Sequence, residues 1–310
     1  MMPKVSVLIP VFNAERFVAE SVGSILRQTF RDFELIAIDD GSIDDSNKIL
    51  TECARTDSRI RVKSRPNLGI VATLNEALGL ARGKYVARMD ADDVCVQERL
   101  AVQVAVMDAN DELVALGSNS IVTDPDGRRL GTFAVPLSHE ELDSAHLEGR
   151  SSIHHPSVIM RTDALRTVGG YREGFCPAED LDLWIRLAEV GRIANVPEPL
   201  LIRRLTLDGI VATRSHEQED TVRRILTDAW RRRGLTGQPN FPRIKQTSLA
   251  GRYRLWSHVA LEDRQPTLAN EYAKRALANE PYNPRSWLAL FRSVFAAKGF
   301  PHRALSGSAS

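Results

Sequence analysis

Three carboxylates stand close together in the segment YVARMDADDVC, in which Asp90, Asp92 and Asp93 directly follow an apolar run. Two carboxylates separated by one residue can converge on one hard cation, and Mg²⁺ and Mn²⁺ both prefer such oxygen ligands. Mg²⁺ usually takes one or two protein carboxylates and completes its shell with substrate phosphates, so the segment suits a nucleotide site. The alternative is an acidic turn that caps a helix beginning near Val96, and for an isolated pair we favour the turn.

A second carboxylate pair, Asp39 and Asp40, precedes Gly41 at the end of another apolar run. A carboxylate there can accept the N–H of a nucleobase, which is a discriminating contact because an acceptor without a donor would be left unpaired. The alternative is a βα turn in which Asp44 or Asp45 caps the next helix. The two interpretations are evenly balanced when this segment is considered alone.

The third acidic pair, Glu179 and Asp180, lies in CPAEDLDLW at the start of a predicted helix. The positive end of the helix dipole favours an ionised carboxylate, and an ionised carboxylate close to a hydroxyl can act as a general base. Simple helix capping is the alternative, and it is favoured for this segment by itself.

Strands and helices alternate through the first third of the chain. Short apolar, β-branched runs predict strands at 5–9, 33–38, 60–62 and 85–89. Pro10 is expected to end the first strand, and Gly83 to be the C-cap of the third helix. This alternation predicts an α/β fold with a mostly parallel sheet and helices on both faces. Such sheets bind ligands beyond the carboxyl ends of their strands, so the loops at 10–13, 39–41 and 90–93 should share one rim.

The pattern changes in the second half of the chain. Short strands around the DPDG turn predict a small antiparallel hairpin over residues 113–133. Ser138 and Glu141 form a capping box for a short helix, and HHPSVIM at 154–160 predicts a further strand. These elements should build the second half of the main domain.

A Gly/Pro-rich segment, GLTGQPNFPR, marks the predicted domain boundary. We expect residues 1–234 to form one domain, with a nucleotide half at about 1–117 and an acceptor half at about 118–234. Residues 235–310 should form a helical extension, with three amphipathic stretches and a disordered tail. One stretch resembles a single tetratricopeptide unit, but solenoids need several repeats, so a helical cap packed on the main domain is preferred.

Composition limits the classes of partner and compartment. The 310 residues carry 41 basic and 40 acidic side chains, a formal net charge of +1, so no overall charge points to nucleic acid. Cys53, Cys95 and Cys176 form no CxxC pair and suit isolated thiols in a reducing compartment. Neither a secretory signal nor a run of about 18 apolar residues is present, so we expect a cytoplasmic protein.

Taken in order, three segments resemble the successive signatures of family 2 glycosyltransferases of the bacterial polysaccharide type. They are VSVLIPVFNAERFVAESVGSILRQTFRDFELIAIDDGSIDDS, NLGIVATLNEALGLARGKYVARMDADD and GGYREGFCPAEDLDLWIRLAEVGRIANVPEPLL. Motifs in the family order over residues 4–205 are far more specific than any one motif. The resemblance implies a GT-A fold, which is Rossmann-like, and an inverting, metal-dependent transfer of a hexose from a nucleotide-sugar donor, for which we expect UDP.

The family's residue roles fall on matching positions of this sequence. The resemblance implies a nucleotide-sugar site formed by Pro10, Phe12, Asn13, Asp39, Asp40, Asn67, Gly69, Arg88, Asp90 and Arg204. It also implies that Asp90 and Asp92 are the DxD pair that binds Mn²⁺ or Mg²⁺. Asp180 matches the catalytic base, and Glu179 its neighbour close to the acceptor.

One position departs from the family pattern. Family members often carry a Tyr-Arg-x-His segment after the helix of the catalytic base, and here Thr206 stands where that His is expected, after Arg203 and Arg204. Metal binding by His at this position is therefore not expected. Arg204 would balance diphosphate charge or remain a solvated arginine on a strand edge. His154 and His155 would line the acceptor cleft or be structural, and we favour the structural role.

Other functions share parts of this pattern. A nucleotidyltransferase also uses paired carboxylates, but PVFNAERF lacks the glycine of a triphosphate-binding loop. A non-catalytic sugar-nucleotide-binding or scaffold protein would have no use for a general base at Asp180, so we favour the enzyme. We expect a saccharide or lipid-linked acceptor. The Arg-rich segment at 223–234 is either a peripheral contact at the inner face of the cell membrane or a solvated helix packed by one stripe.

Overall fold

The computed structural model describes residues 2–207, 215–243 and 247–298. In this part of the chain the strands are β1 (Val5–Val11), β2 (Phe33–Asp39), β3 (Ile60–Ser64), β4 (Tyr85–Arg88), β5 (Val94–Cys95), β6 (Leu113–Thr123), β7 (Arg129–Phe133), β8 (Ile159–Arg161) and β9 (Arg192–Arg204). The helices are α1 (Val18–Leu26), α2 (Ser46–Thr56), α3 (Ile70–Leu80), α4 (Arg99–Ala109), α5 (His139–Leu147), α6 (Thr162–Thr167), α7 (Glu179–Ala188), α8 (Ser215–Arg232), α9 (Leu249–Glu262), α10 (Pro266–Asn279) and α11 (Pro284–Ala297). A short 3₁₀ turn, His155–Ser157, precedes β8.

The strands form one mixed sheet with the order β3-β2-β1-β4-β8-β6-β9-β5, and β7 pairs with β6. Its first half is parallel, because β1 pairs with β2 and β4, and β2 pairs with β3, in the same direction. The chain then adds β8 antiparallel to β4, and β6 antiparallel to β8. The predicted parallel βα alternation is confirmed, and the antiparallel part comes from the second half of the sequence.

Helices cover both faces of the parallel strands. Val7 of β1 packs in the same apolar cluster as Val22 of α1, whereas its neighbour Leu8 packs with Leu74 of α3. Successive side chains of a strand point to opposite faces, so an uninterrupted apolar run fills two cores at once. This burial fixes the strands and leaves their carboxyl ends to carry the polar loops.

Three boundaries differ from the sequence-based expectation. Pro10 lies within β1, which is tolerated because β4 pairs with β1 only as far as Leu8 and requires no N–H from Pro10. The acidic segment is followed by the short strand β5, so α4 begins at Arg99 rather than near Val96. Gly83 is not a helix cap; a Cβ there would lie 2.6 Å from the backbone nitrogen of Ser6, so the position needs glycine for close approach.

The chain divides into two compact units. The first comprises Met1–Ser120, Ala134–Arg203 and His216–Ile244, and the second comprises Ile121–Phe133, Arg204–Ser215 and Lys245–Ser310. The tip of the predicted hairpin therefore belongs with the C-terminal helices, whereas the sequence placed it in the acceptor half. The predicted disordered tail, SGSAS at 306–310, lies outside the described residues.

The second unit is held by apolar and ionic contacts of its own. Leu130 of β7 packs in one cluster with Trp256 of α9 and Tyr272 of α10. Arg128 donates to Asp124 at 2.7 Å and to Glu271 at 2.8 Å, so the hairpin turn is bonded to α10. These contacts explain why the turn associates with sequence-distant helices.

Among the helices of the described residues, none is long and apolar enough to cross a membrane.

Candidate active site

The acidic segment predicted to bind a cation lies directly beyond the carboxyl end of β4. Asp90, Asp92 and Asp93 each offer a carboxylate oxygen within 4.8 Å of the others. Asp93 is buried, whereas Asp90 and Asp92 are partly exposed. Ser21 of α1 donates to the backbone carbonyl of Asp90 at 2.8 Å, which ties the segment to the first βα unit. Three converging carboxylate oxygens form a donor set that fits Mg²⁺ or Mn²⁺.

Arg88, the last residue of β4, is the cation built into this site. Its Nη2 lies 2.5 Å from Oδ1 of Asp90, and only 5% of the residue is exposed. Its Nε and Nη1 have no hydrogen-bond partner among the described residues. Burial opposes the charge of Arg88, but Asp90 and Asp93 hold its pKa above the ordinary value. A buried guanidinium with such donors favours anionic groups around it.

The first turn of α7 carries the third acidic pair. Oδ2 of Asp180 accepts a hydrogen bond from the hydroxyl of Ser151 at 2.8 Å, and Oδ1 accepts from the N–H of Leu181 at 2.8 Å. Burial raises the pKa of Asp180, and these two bonds limit the rise. Burial and the neighbouring Asp180 raise the pKa of Glu179 to about 7. Glu179 is therefore suited to exchanging a proton near neutral pH.

The charge of Arg88 acts on both the acidic segment after β4 and the acidic first turn of α7. The charge of Arg88 lowers the pKa of Asp92 on one side and the pKa values of Glu179 and Asp180 on the other. Such interactions fall off with distance, so both groups lie within electrostatic reach of Arg88. The structure thus brings the predicted metal-binding and base residues to one centre.

Asp92 is the carboxylate most in need of a cation. Its burial, followed by repulsion from Asp90, raises its pKa to about 6, although Arg88 and Arg203 oppose the rise. A bound divalent ion would relieve this repulsion and favour the ionised form.

The carboxylates that follow β2 are already bonded within the protein. Asp39 accepts from the N–H of Ser42 at 3.1 Å, from Asn47 at 3.0 Å and from Ser64 at 2.8 Å. Asp39 is 1% exposed, so it stabilises the turn after β2 from inside. Its contact with a nucleobase stays a prediction.

Asp40 shapes the loop that precedes α3. Its two oxygens accept from the backbone N–H groups of Leu68 and Gly69, both at 2.9 Å, and Arg65 pairs with it at 2.7 Å. Asn67 donates to the carbonyl of Asp40 at 2.9 Å. The loop at 65–69 is therefore fixed against the end of β2, and the predicted contact of Asn67 and Gly69 with the nucleotide stays a prediction.

Two glycines make this close approach feasible. Gly41 has φ +78°, and a Cβ on it would lie 2.6 Å from the backbone nitrogen of Asn67. Gly69 has φ +88°, a conformation that side chains rarely adopt. A larger residue at Gly41 would push the loop away from the rim.

The loops after β1 and β2 are joined through Asn13. Its backbone N–H donates to Ser42 at 3.0 Å, its Oδ1 accepts from Ile43 at 2.9 Å, and its φ is +50°. The three loops expose one large apolar side chain each, namely Phe12 at 53%, Ile43 at 92% and Leu68 at 68%. Exposed apolar side chains at a polar rim suit contact with a flat ring.

Sequence reasoning missed Arg99, a fully buried arginine beneath the acidic segment. Its Nη2 donates to the carbonyls of Arg88 at 2.9 Å and Val158 at 3.1 Å, and its Nε donates to Gln103 at 3.1 Å. These bonds hold the end of β4 in place. The only signal for the role of Arg99 in the sequence is its position in a helical pattern. Such a pattern does not distinguish a buried arginine from a solvated one.

Sequence reasoning also missed the role of Arg203. In the β5–β9 ladder Val94 stands opposite Ile202, so the register places Arg203 opposite Asp93. Its charge lowers the pKa of Asp92. Arg204 belongs to the second unit, where its Nη1 lies 3.5 Å from the carbonyl of Pro125. Successive side chains of a strand point to opposite faces, and this alternation could have indicated from the sequence that only one of the two arginines faces the acidic segment.

The histidines and the third acid of α7 have structural partners. His155 bonds Tyr171 at 2.7 Å and packs edge-on against Trp184, and burial lowers its pKa well below the ordinary value. His154 bonds Ser120 at 2.8 Å. Asp182 is fully buried and pairs with Arg172 and Arg186, so it stabilises the helix.

Comparison with known proteins gives a consistent result. The model of glycosyl transferase family 2 matches residues 6–169. A glycosyltransferase of Haemophilus influenzae described as uncharacterized is 34% identical over 233 residues, which is 72% of this chain and 72% of that protein. The amylovoran biosynthesis glycosyltransferase AmsE of Erwinia amylovora is 31% identical over 200 residues, 63% of this chain and 74% of that protein.

Solved structures resemble the whole fold. S. aureus TarS 1–349 in complex with UDP-GlcNAc covers 96% of this chain and 92% of its own, with 19% identity and a TM-score of 0.57. The mannosyltransferase PcManGT from Pyrobaculum calidifontis, in complex with GDP-Man and Mn²⁺, covers 98% of this chain and 83% of its own, with 18% identity and a TM-score of 0.56. The predicted GT-A fold, with C-terminal helices, is confirmed.

Proposed function

The chain belongs to glycosyl transferase family 2, and from that premise we propose that it transfers a hexose from a UDP-linked donor to a hydroxyl of a saccharide or lipid-linked acceptor, with inversion. One observation carries the proposal: the charge of Arg88 lowers the pKa values of both Asp92 and Asp180, so the two carboxylates lie around the same buried cation. A donor bound at the acidic segment would therefore have a base near its reacting carbon.

Asp180 is the proposed general base. Ser151 and the N–H of Leu181 orient its carboxylate, and burial keeps its pKa raised. Asp180 would accept the proton of the acceptor hydroxyl while that oxygen bonds to the anomeric carbon. The bond from the carbon to the phosphate oxygen breaks, and the nucleoside diphosphate leaves with the electron pair. Direct displacement inverts configuration and needs no covalent carboxylate nucleophile.

Asp90 and Asp92 are the proposed ligands of Mn²⁺ or Mg²⁺. Their oxygens and that of Asp93 converge within 4.8 Å, and PcManGT was solved with Mn²⁺. When bound, the ion would neutralise charge on the leaving diphosphate. Arg88 would keep part of that charge balanced through its two unused donors, Nε and Nη1.

The nucleotide is proposed to bind along the rim formed by the first three strands. Phe12 would contact the base together with Ile43 and Leu68, since all three are exposed apolar side chains. The remaining predicted residues shape this rim: Pro10, Asn13, Asp39, Asp40, Asn67 and Gly69. Asp39 and Asp40 would act mainly by fixing the loops, because their oxygens already accept hydrogen bonds.

The remaining parts of the proposal concern the acceptor and the setting. Glu179 would lie close to the acceptor, and Arg203, rather than Arg204, is proposed to add positive charge on the diphosphate side. The acceptor half would be formed by residues after about 118, and the helical extension would follow the catalytic domain. We propose that the protein acts in the cytoplasm, at the inner face of the membrane. Its process would be polysaccharide synthesis, as the name of the amylovoran biosynthesis glycosyltransferase AmsE indicates for that relative.

A donor screen tests the proposal. UDP-sugars and GDP-sugars would be incubated with the full chain and a panel of saccharide acceptors, with and without Mn²⁺, and release of nucleoside diphosphate would be measured. We expect turnover of a UDP-sugar that needs both Mn²⁺ and acceptor. Turnover of none of the donors, with nucleotide binding intact, would support a non-catalytic binder instead.

A further inference from the structure

The helix α11 (Pro284–Ala297) presents outward the residues that helices usually bury. Its exposed large side chains are Trp287 (45% exposed), Leu288 (44%), Phe291 (55%) and Phe295 (43%). The residues it buries completely are Ser286 and Ser293. The large aromatic side chains of α11 thus lie on its outer face, whereas its fully buried residues are small, which departs from the ordinary pattern of an amphipathic helix.

The outward residues form one continuous stripe. Their spacing of one, four and eight residues from Trp287 places them on neighbouring positions of one helix face. The rings of Trp287 and Phe291 are 6.3 Å apart between centroids. A helix of this length spans about 21 Å, so the stripe is long enough to form a surface. Single exposed apolar residues need no explanation, but a contiguous stripe indicates a partner.

Positive charge borders the stripe. A groove of about 310 Å³ lies beside it and is lined by residues of α9 and α11 that include Arg254, Leu255, His258, Arg285, Leu288 and Arg292. Leu255 is 44% exposed and widens the apolar surface. Glu280 pairs with Arg254 at 2.8 Å, and α11 itself contains no Asp or Glu. The edge of the stripe is therefore basic.

We infer that α11 and this groove dock on the surface of an anionic lipid bilayer. Trp287 and Phe291 would enter the boundary between headgroups and acyl chains, and Arg285 would contact lipid phosphates. A second copy of the chain fits less well. A symmetric contact would bring the arginines of two stripes together with no acidic residue on either α11 to pair with them.

The Arg-rich helix α8 is a poorer candidate, although its sequence suggested membrane contact. Its apolar residues pack against α7, with Ile225 and Leu226 buried beside Ile185. Arg232 pairs with Glu189 at 2.9 Å, and Arg233 with Asp143 at 2.8 Å. Much of its charge is thus used within the protein, and α8 supplies matched control positions.

Co-sedimentation of the full chain with vesicles tests the inference without any need for turnover, so its outcome is independent of the proposed function. Vesicles of phosphatidylcholine would be compared with vesicles that also contain phosphatidylglycerol. We expect binding to the anionic vesicles, about tenfold weaker for Phe291→Ser and about fivefold weaker for Arg285→Gln. The matched controls Val190→Ser and Arg231→Gln, which change exposed residues elsewhere, should bind like the wild type.

Fluorescence supplies a second readout. Acyl chains brominated near the headgroup should quench Trp287, and Trp287→Phe should remove this quenching while retaining vesicle binding. Of the other three tryptophans, Trp184 and Trp256 are buried and Trp230 is partly buried on α8, so they should contribute little. Equal binding of the wild type and Phe291→Ser, or no binding to either vesicle, would overturn the inference. So would a lipid-free dimer that Phe291→Ser converts to monomer, because the stripe would then be a contact between copies.

Discussion

The guanidinium of Arg88 pairs with Asp90 at 2.5 Å and also lowers the pKa of Asp180, which lies on a different element of the fold. One buried cation thus links the acidic segment after β4 to the acidic first turn of α7. Burial raises the pKa of Asp180, and Arg88 limits that rise. Removing Arg88 would leave the carboxylates on both sides less compensated.

We therefore expect Arg88→Met to change the pH dependence of activity. Without the cation, the pKa values of Glu179 and Asp180 should rise further, so the acid limb of kcat/KM should move to higher pH by about one unit. The control Arg55→Met changes an exposed arginine outside the site. An acid limb that stays in place in Arg88→Met would mean that Arg88 does not act on the base.

Glu179→Gln should stabilise the protein at alkaline pH. The pKa of Glu179 is raised to about 7 in the folded chain, so ionisation of this group costs stability as pH rises through that value. Urea denaturation should find the variant about 1–3 kcal/mol more stable than the wild type near pH 8 and nearly equal near pH 4. Glu173→Gln, an exposed change, serves as the control. A difference that does not vary with pH would argue against the raised pKa.

Mn²⁺ should stabilise the wild type but not Asp92→Asn. An ion that binds only the folded state adds about 2.7 kcal/mol of stability at a hundredfold excess over its Kd. Thermal unfolding with and without Mn²⁺ measures this effect and requires no substrate. Asp111→Asn, which alters an almost fully exposed carboxylate, should respond like the wild type. Equal Mn²⁺ shifts in all three proteins would place the ion elsewhere.

Arg203 and Arg204 form a matched pair of variants. The register places Arg203 opposite Asp93, whereas Arg204 lies near the carbonyl of Pro125. Arg203→Met should raise the KM for the donor about tenfold, because a cation facing the diphosphate is lost. Arg204→Met should change it less than about twofold. Equal effects of the two substitutions would remove the distinction between them.

The sequence predicted the parts of this protein that depend on local patterns. Apolar runs and helical spacing predicted the βα units, which the structure confirms. Ser138 and Glu141 form the predicted capping box. These features were predictable because the residues that define them lie within a few positions of one another.

Other features depend on contacts between distant segments, which local patterns do not contain. Gly83 is required by the approach of β1, not by the helix before it. Arg99 can be buried because two carbonyls of neighbouring segments accept hydrogen bonds from it. The apolar stripe on α11 has the spacing of a packing face in the sequence, but in the structure its side chains are exposed. In each case the role of the residue depends on the segment that it contacts, and the local sequence does not specify that segment.

The assignment of Asp180 as general base is tested most directly by Asp180→Asn, measured for both turnover and nucleotide binding. The substitution keeps the size of the side chain and removes the proton acceptor. We expect kcat for the donor found in the screen to fall about 10²–10⁴-fold, while the Kd for UDP with Mn²⁺ stays within about twofold. A variant that retains wild-type kcat would contradict the account, because the proton of the acceptor would then be taken by another group.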